Sequence, residues 1–252
     1  MPADGDEGDR GDDDSPQKSE DAGLEDADDA GSDAGDAGDS GTHDAGDAGD
    51  SDAGDAGDSG ADDDAGDAGS STCDGKVVIS QVYGGGGNSG APYKSSFVEL
   101  HNRGSVPVVL NGWSIHYLSG GGGTNAKTDL TGTIAPGGYF LIKQAGGANG
   151  VDLPEADVTG TINPSATAGR FALVSSTTSL GATCTNATVV DLVGYGTANC
   201  FNGAAAPAPS NTKSVIRKND GCTDTGNNKA DFSALAPSPR NSSTPAVECS
   251  CN

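Results

Sequence analysis

Long apolar runs are missing from this 252-residue chain. Without about 18 consecutive apolar residues, no helix in it can be written across a bilayer. A secretory signal is not readable at Met1 either, because Pro2, Asp4, Asp6 and Glu7 stand where a basic segment and an apolar stretch are required. Helix-forming windows are also lacking, since Gly or Pro interrupts every stretch long enough for three turns. There is no C-x-x-C, and no histidine lies at metal-ligand spacing from a cysteine pair, which argues against a zinc ribbon or finger. Nor is there a G-x-S-x-G elbow. Before Cys73 no aromatic residue occurs and Leu24 is the one large aliphatic, so that region has nothing from which to build a core.

What fills the first 72 residues is negative charge. They hold 26 of the 37 acidic residues and, in Arg10 and Lys18, two of the 13 basic ones, which places the whole net charge of −24 there. Residues 73–252 are neutral. From Asp33 to Gly69 the triplet Asp-Ala-Gly recurs. Ordering such a stretch costs roughly 1–2 kcal/mol per residue in backbone entropy with no apolar burial to offset it, so residues 1–72 are expected to be a disordered acidic tail. Gly at every third position suggests a collagen triple helix, but Pro is absent from the repeat and Asp at constant phase would stack like charges. The repeat also lacks the apolar positions by which calcium-binding repeats stack into a β-helix. A self-repelling soluble spacer that collects divalent ions weakly is the reading that remains.

All six cysteines, Cys73, Cys184, Cys200, Cys222, Cys249 and Cys251, belong to the neutral part, residues 73–252. An even number without metal-ligand spacing favours disulfides, and disulfides imply an oxidising compartment, outside the cell or on its surface. The acidic start is reconciled with that location if a signal peptide or lipoprotein anchor lies upstream or has been removed. Six cysteines allow 15 pairings. If 189–195 and 212–218 are antiparallel neighbours, Cys184 and Cys222 fall at the same end, which favours joining them; nearness in sequence favours Cys184 with Cys200 instead.

Short β-branched and aromatic runs bounded by Gly, Pro, Asn and Ser recur at 77–83, 97–102, 113–119, 139–144, 170–175, 189–195 and 213–217. In the second, alternation puts Phe97, Glu99 and His101 on one face and Val98 and Leu100 on the other. Seven or more such strands with turn-rich links predict an all-β sandwich.

Four of these stretches, FVELHN at 97–102, LNGWSI at 110–115, IAPGGYFLI at 134–142 and VDLVGYG at 190–196, resemble the lamin tail domain. The glycine-rich 84–90, APAPSNT at 206–212 and residues 224–232 are similar to its bacterial secreted branch. The resemblance runs from about residue 76 to 243. It implies an immunoglobulin-like β-sandwich that is not itself an enzyme, of a kind found beside extracellular nucleases and phosphatases, and that in animal lamins contacts DNA and membrane-associated proteins. No second catalytic domain and no coiled-coil rod accompany it here.

On their own chemistry these motifs read as structural. Gly112 places a bend before Trp113, the one tryptophan and an expected core anchor. Pro136-Gly137-Gly138 is turn chemistry before a strand. Asp191, between Val190 and Leu192, must face outward or find partners, and is expected to hold a neighbouring loop.

Candidates for chemistry are few. Residues 85–90 match G-x-G-x-x-G, but Pro92 and a strand follow where the dinucleotide fingerprint needs a helix, so a surface loop is expected. His101 and His116 lie on separate strands with no acid/base constellation around them, which argues against an enzyme. Asp224, Asn227, Asn228 and Asp231 concentrate hard oxygen donors suited to calcium, though not at EF-hand spacing. Lys213, Arg217 and Lys218 form the one basic cluster, the expected contacts if the domain meets nucleic acid. The expectation is a non-catalytic binding or adhesion module, secreted or displayed on the cell surface by the acidic spacer, with a protein, glycan or surface ligand, no cofactor beyond a possible calcium, and no membrane span. The alternative is a DNA- or envelope-targeting accessory of an extracellular nuclease or phosphatase system.

Overall fold

The structure, a computed structural model, describes residues 76–250 apart from 123, 124 and 182. The expected disordered tail, Cys73 and Cys251 lie outside the described residues. The chain separates into units Met1–Asp62 and Asp63–Asn252, and every described residue belongs to the second.

Among the described residues twelve strands run β1 (Val77–Tyr83), β2 (Ser95–Asn102), β3 (Val108–Val109), β4 (Ser114–Ser119), β5 (Asn125–Asp129), β6 (Thr133–Ile134), β7 (Tyr139–Gly146), β8 (Val158–Thr159), β9 (Gly169–Val174), β10 (Val189–Tyr195), β11 (Ser214–Arg217) and β12 (Phe232–Leu235). A six-stranded sheet in the order β12-β11-β1-β2-β7-β8 packs on a four-stranded sheet in the order β10-β9-β4-β5, and β3 pairs with β6. All pairings are antiparallel except β7 with β8. This is the expected all-β, immunoglobulin-like sandwich. Besides a 3-10 turn at Asn219–Gly221, the helix among the described residues is one turn, α1 (Asn228–Asp231).

Side-chain alternation explains the main core. Val98 and Leu100 of β2, Phe140 and Ile142 of β7, Ile115 and Tyr117 of β4, Phe171 and Leu173 of β9, and Val193 and Tyr195 of β10 all meet there. Fully burying such a side chain contributes about 1.5–3 kcal/mol. In β1 the core residues are Val77, Ile79 and then Val82, a step of three where alternation demands two. A register shift between Ile79 and Gln81 supplies the extra residue, so a β-bulge turns Val82 inward.

Both sheets are also covered on their outer faces. Leu180, from the loop after β9, packs on Ala172, Val174, Val189 and Leu192 at the outer face of the four-stranded sheet. Outside the six-stranded sheet, residues 236–250 cross β1, β2 and β7 as a strap. Double coverage is why all seven residues of β1 are buried.

Several details depart from expectation. Trp113 is half-buried at the core margin, because β4 opens at Ser114 and leaves the indole beside the sandwich. Strands β3, β5, β6, β8 and β12 carried no predicted run: β5 is NAKTD, polar because one face lies open. Among the described residues the disulfides are Cys184–Cys200 and Cys222–Cys249, with Cα–Cα distances of 5.8 and 5.4 Å. Of the two pairings weighed for Cys184, the one with Cys222 fails because its premise does: β10 and β11 belong to different sheets and are not ladder neighbours. The pairing by sequence nearness, Cys184 with Cys200, is the one formed. The turn at residues 136–138 is as expected, with Gly137 at φ +64°.

Candidate functional site

Arg217 of the basic candidates and Asp224 and Asp231 of the acidic ones converge, with Asp191, on one buried cluster. Arg217 has a fully buried side chain. Its Nη2 donates to Asp191 Oδ2 at 2.7 Å, its Nε to the Ile79 carbonyl at 3.0 Å and its Nη1 to the Thr223 carbonyl at 3.0 Å. Nη1 also stands 3.5 Å from both Asp224 and Asp231, and the guanidinium lies 4.6 Å from the centroid of Phe232. Asp224 further receives Lys76 at 2.7 Å and Arg103 at 3.0 Å. Burial alone would raise the Asp224 carboxyl, but the Lys76 hydrogen bond and the charges of Arg217, Lys76 and Arg103 hold it below its ordinary value.

The oxygens expected to serve calcium are therefore already committed. Asp231 accepts from Thr225 N and Oγ1 at 3.0 and 2.6 Å. Asn227 caps α1 by accepting from Lys229 N and Ala230 N. Asn228 is buried and faces elsewhere, donating to the Leu192 carbonyl and accepting from Gly194 N and Asn202 N. Where a cation would sit between Asp224 and Asp231, the guanidinium stands. The nucleic-acid set is divided too: Lys213 and Lys218 are exposed, whereas Arg217 cannot reach a phosphate.

A second polar cluster lies under the strap. Glu99 is wholly buried, and its Oε1 accepts from Ser80 Oγ at 2.6 Å and Arg240 Nη2 at 2.8 Å; Oε2 accepts from Arg240 N at 2.7 Å. Burial pushes the Glu99 carboxyl up despite these donors. The Arg240 guanidinium sits 3.8 Å from the Tyr139 ring centroid, and His101 stacks on Tyr139 at 4.6 Å. Gln81 donates to the Ser238 carbonyl, fixing the strap at a further point. Alternation had placed Glu99 and His101 on a common face, but Arg240 gave no signal, because strap and sheet are 141 residues apart in sequence.

The serine–histidine hydrogen bond found among the described residues does not activate a nucleophile. Ser114 Oγ stands 2.9 Å from His116 Nε2, and Ser114 Oγ also donates to the Ser176 carbonyl. A hydroxyl has one proton to donate, so here it is His116 that donates to Ser114, the reverse of general-base geometry. Both residues are wholly buried.

Exposed polar groups gather instead at one end of the sandwich, where the loop after β1, the loop after β7 and the turn before β11 meet. Asn88 Nδ2 donates to Asn211 Oδ1 at 3.0 Å, and Asn211 Nδ2 donates back to the Ser89 carbonyl at 3.2 Å. Asn149 Nδ2 donates to the Gly87 carbonyl at 3.0 Å. Tyr83, from inside, donates to the Asn211 carbonyl at 2.6 Å. Gly87 holds φ +74°, and a Cβ there would collide with the Gly147 backbone, so only glycine brings these loops together. The rim presents Asn88, Ser89, Asn149 and Thr212 to solvent, and Val151, two residues beyond Asn149 and bridged to Tyr93, is 64% exposed. The glycine-rich segment is thus the surface loop expected, and its partners Asn149 and Asn211 were not foreseen, since isolated asparagines in turns carry no sequence signal.

Among known proteins, a family model described as Lamin Tail Domain matches residues 70–197. A solved structure of a DUF4876 family protein from Bacteroides thetaiotaomicron aligns with a TM-score of 0.47 at 15% identity, covering 71% of this chain and 75% of that one. No curated protein matches the chain.

Proposed function

The chain belongs to the lamin tail domain family, and from that footing we propose that its sandwich is a non-catalytic binding module that takes a polar ligand, protein or glycan, at the asparagine-rich rim. The observation that carries this reading is the reciprocal Asn88–Asn211–Ser89 hydrogen bonding, which locks two loops in advance of any ligand. A pre-organised rim spares a ligand the entropy of ordering it. Exposed amide and hydroxyl groups, with the exposed aliphatic Val151 on the same loop as Asn149, offer oriented hydrogen bonding and an apolar contact, the usual makeup of a small recognition site. The absence of a correctly poised base at Ser114 supports a non-catalytic role. The two disulfides among the described residues support a secreted or surface-displayed protein, and the acidic residues 1–72 serve as its spacer.

Titration of the full chain against surface polysaccharides and envelope proteins tests the proposal, with Asn211→Ala and Val151→Asp as variants. Binding that both variants weaken at least tenfold, with unchanged melting temperature, supports the rim. Binding that neither variant moves, or none at all, overturns it. Burial of Arg217 disfavours the nucleic-acid alternative, because its strongest candidate phosphate contact is inaccessible.

A further inference from the structure

His101 is wholly buried, and its Nε2 faces two carbonyl oxygens, those of Gly137 and Val247, each at 3.1 Å. Carbonyls only accept, so the ring proton is at Nε2 and Nδ1 carries a lone pair. Nδ1 makes no hydrogen bond of ordinary geometry, while the Gly221 backbone also approaches the ring. Nδ1 lies against Gly221, where a Cβ would stand 2.7 Å from it, and Gly221 leads directly into Cys222. A ring nitrogen of His101 and the sulfurs of Cys222 and Cys249 all lie within 4.8 Å of one another. Both cysteines are partly exposed, and a cleft of about 630 Å³ lined by Arg103, Cys222, Asp224, Val247 and Glu248 opens beside them.

We propose that reduction of the Cys222–Cys249 disulfide converts this cluster into a zinc site with two thiolates and the His101 imidazole as ligands. In the reduction a dithiol supplies two electrons and two protons. The Cys222–Cys249 bond breaks, each sulfur becomes a thiol, and the dithiol closes to its own disulfide. Zinc then displaces both thiol protons to solvent and takes the imidazole lone pair, leaving its fourth position to water from the cleft. Tetrahedral zinc with bonds of about 2.0–2.3 Å sets its ligand atoms about 3.5–3.8 Å apart, close to the present spacing once the sulfurs part. The imidazole is already oriented by its Nε2 bonds to Gly137 and Val247, as zinc-bound histidines require of their second nitrogen. The other described pair is unsuited, because the Arg170 guanidinium stands 3.6 Å from Cys184 Sγ and repels a cation. Cys249 lies in the strap, so the metal would restore the tether that reduction removes.

The full chain, oxidised or reduced with a phosphine, which takes oxygen from water as it is oxidised, is titrated with zinc and with cobalt. Weak ion collection by the acidic residues is common to both arms and cancels. The expected result is one tight equivalent in the reduced arm only, with a thiolate-to-cobalt charge-transfer band and an X-ray absorption shell containing at least two sulfurs near about 2.3 Å and an imidazole nitrogen near about 2.0 Å. Cys184→Ser/Cys200→Ser should keep this site, while Cys222→Ser/Cys249→Ser and His101→Gln should lose it. Equal uptake in both arms, a wild-type shell without imidazole, or tight uptake that survives Cys222→Ser/Cys249→Ser overturns the proposal. The wild-type spectra decide it even if a variant fails to fold.

Discussion

Arg217 of β11 and Asp191 of β10 meet at 2.7 Å across the two sheets, and together they complete the backbone of a third strand. Ile79 N donates to Asp191 Oδ2 at 2.8 Å while the Ile79 carbonyl accepts from Arg217 Nε at 3.0 Å. The β1–β11 ladder reaches only Gln81 and Val82, so Ile79 has no backbone partner on that side. The ion pair supplies both missing partners. It thereby ends the ladder without leaving a buried N–H or C=O unsatisfied.

Arg217→Ala should therefore destabilise the domain by about 3–5 kcal/mol, because it leaves buried carboxylates without their cation. Asp191→Asn should cost less, since Arg217 keeps Asp224 and Asp231 within 3.5 Å. Urea unfolding of both variants measures the difference. A cost below about 1 kcal/mol for Arg217→Ala would refute a structural role for the cluster.

Removing either of the described disulfides should destabilise the protein, and on the chain-entropy account the loop lengths rank them. Separations of 16 and 27 residues correspond to about 3 and about 3.5 kcal/mol for Cys184–Cys200 and Cys222–Cys249. The qualitative difference should be larger than the energetic one. Cys222→Ser/Cys249→Ser should make the strap cleavable in limited proteolysis, while Cys184→Ser/Cys200→Ser leaves it protected. A strap that stays resistant without its disulfide would mean that the Glu99–Arg240 contacts suffice.

The sequence revealed the long strands but not what covers them. Runs such as VVISQVY at β1 carry their strand character locally, in β-branched residues and flanking turns. Asp191 was foreseen as needing partners because a carboxylate between Val190 and Leu192 has nowhere apolar to go. Its partner was misread: Arg217 looked like surface charge because basic residues usually are, and it is enclosed only once Ile79, Asp191, Thr223 and Phe232 come together from separate elements. The Glu99–Arg240 pair and the rim contact between Asn88 and Asn211 join residues 141 and 123 positions apart. No local pattern encodes such contacts, which arise when loops and strap settle on a finished sandwich.

Acid should weaken the fold through its buried histidines. Burial holds His116 below its ordinary 6.5; Lys127 adds to this, while Asn125 and Asp129 oppose it. A lowered folded pKa means that the unfolded chain binds the proton first, so stability is full above 6.5 and is lost as pH falls below it. Glu99 acts in the opposite sense. Raised in the fold by burial, it contributes stability at low pH that is lost as pH rises above its ordinary 4.5. Between these values the two effects oppose, so a variant must separate them. His116→Gln should flatten the decline in unfolding free energy between pH 7 and pH 5. An unchanged slope would show that His116 does not take up a proton on unfolding in this range.

Duplex DNA should bind weakly at about 0.15 M salt, where charges beyond about 8 Å are largely screened. Each lost phosphate contact flattens the salt slope by about 0.9, so the slope reports which residues touch DNA. Lys213 and Lys218 are exposed, but Lys218 Nζ donates to the Ala230 carbonyl and the net charge of −24 opposes approach. Lys213→Ala/Lys218→Ala in the full chain should leave the slope within error of wild type. Arg217→Met, chosen to fill the same buried space, should change stability and not the slope. A loss of about one to two units of slope in the double lysine variant would instead place a phosphate path across β11 and return the nucleic-acid reading to first place.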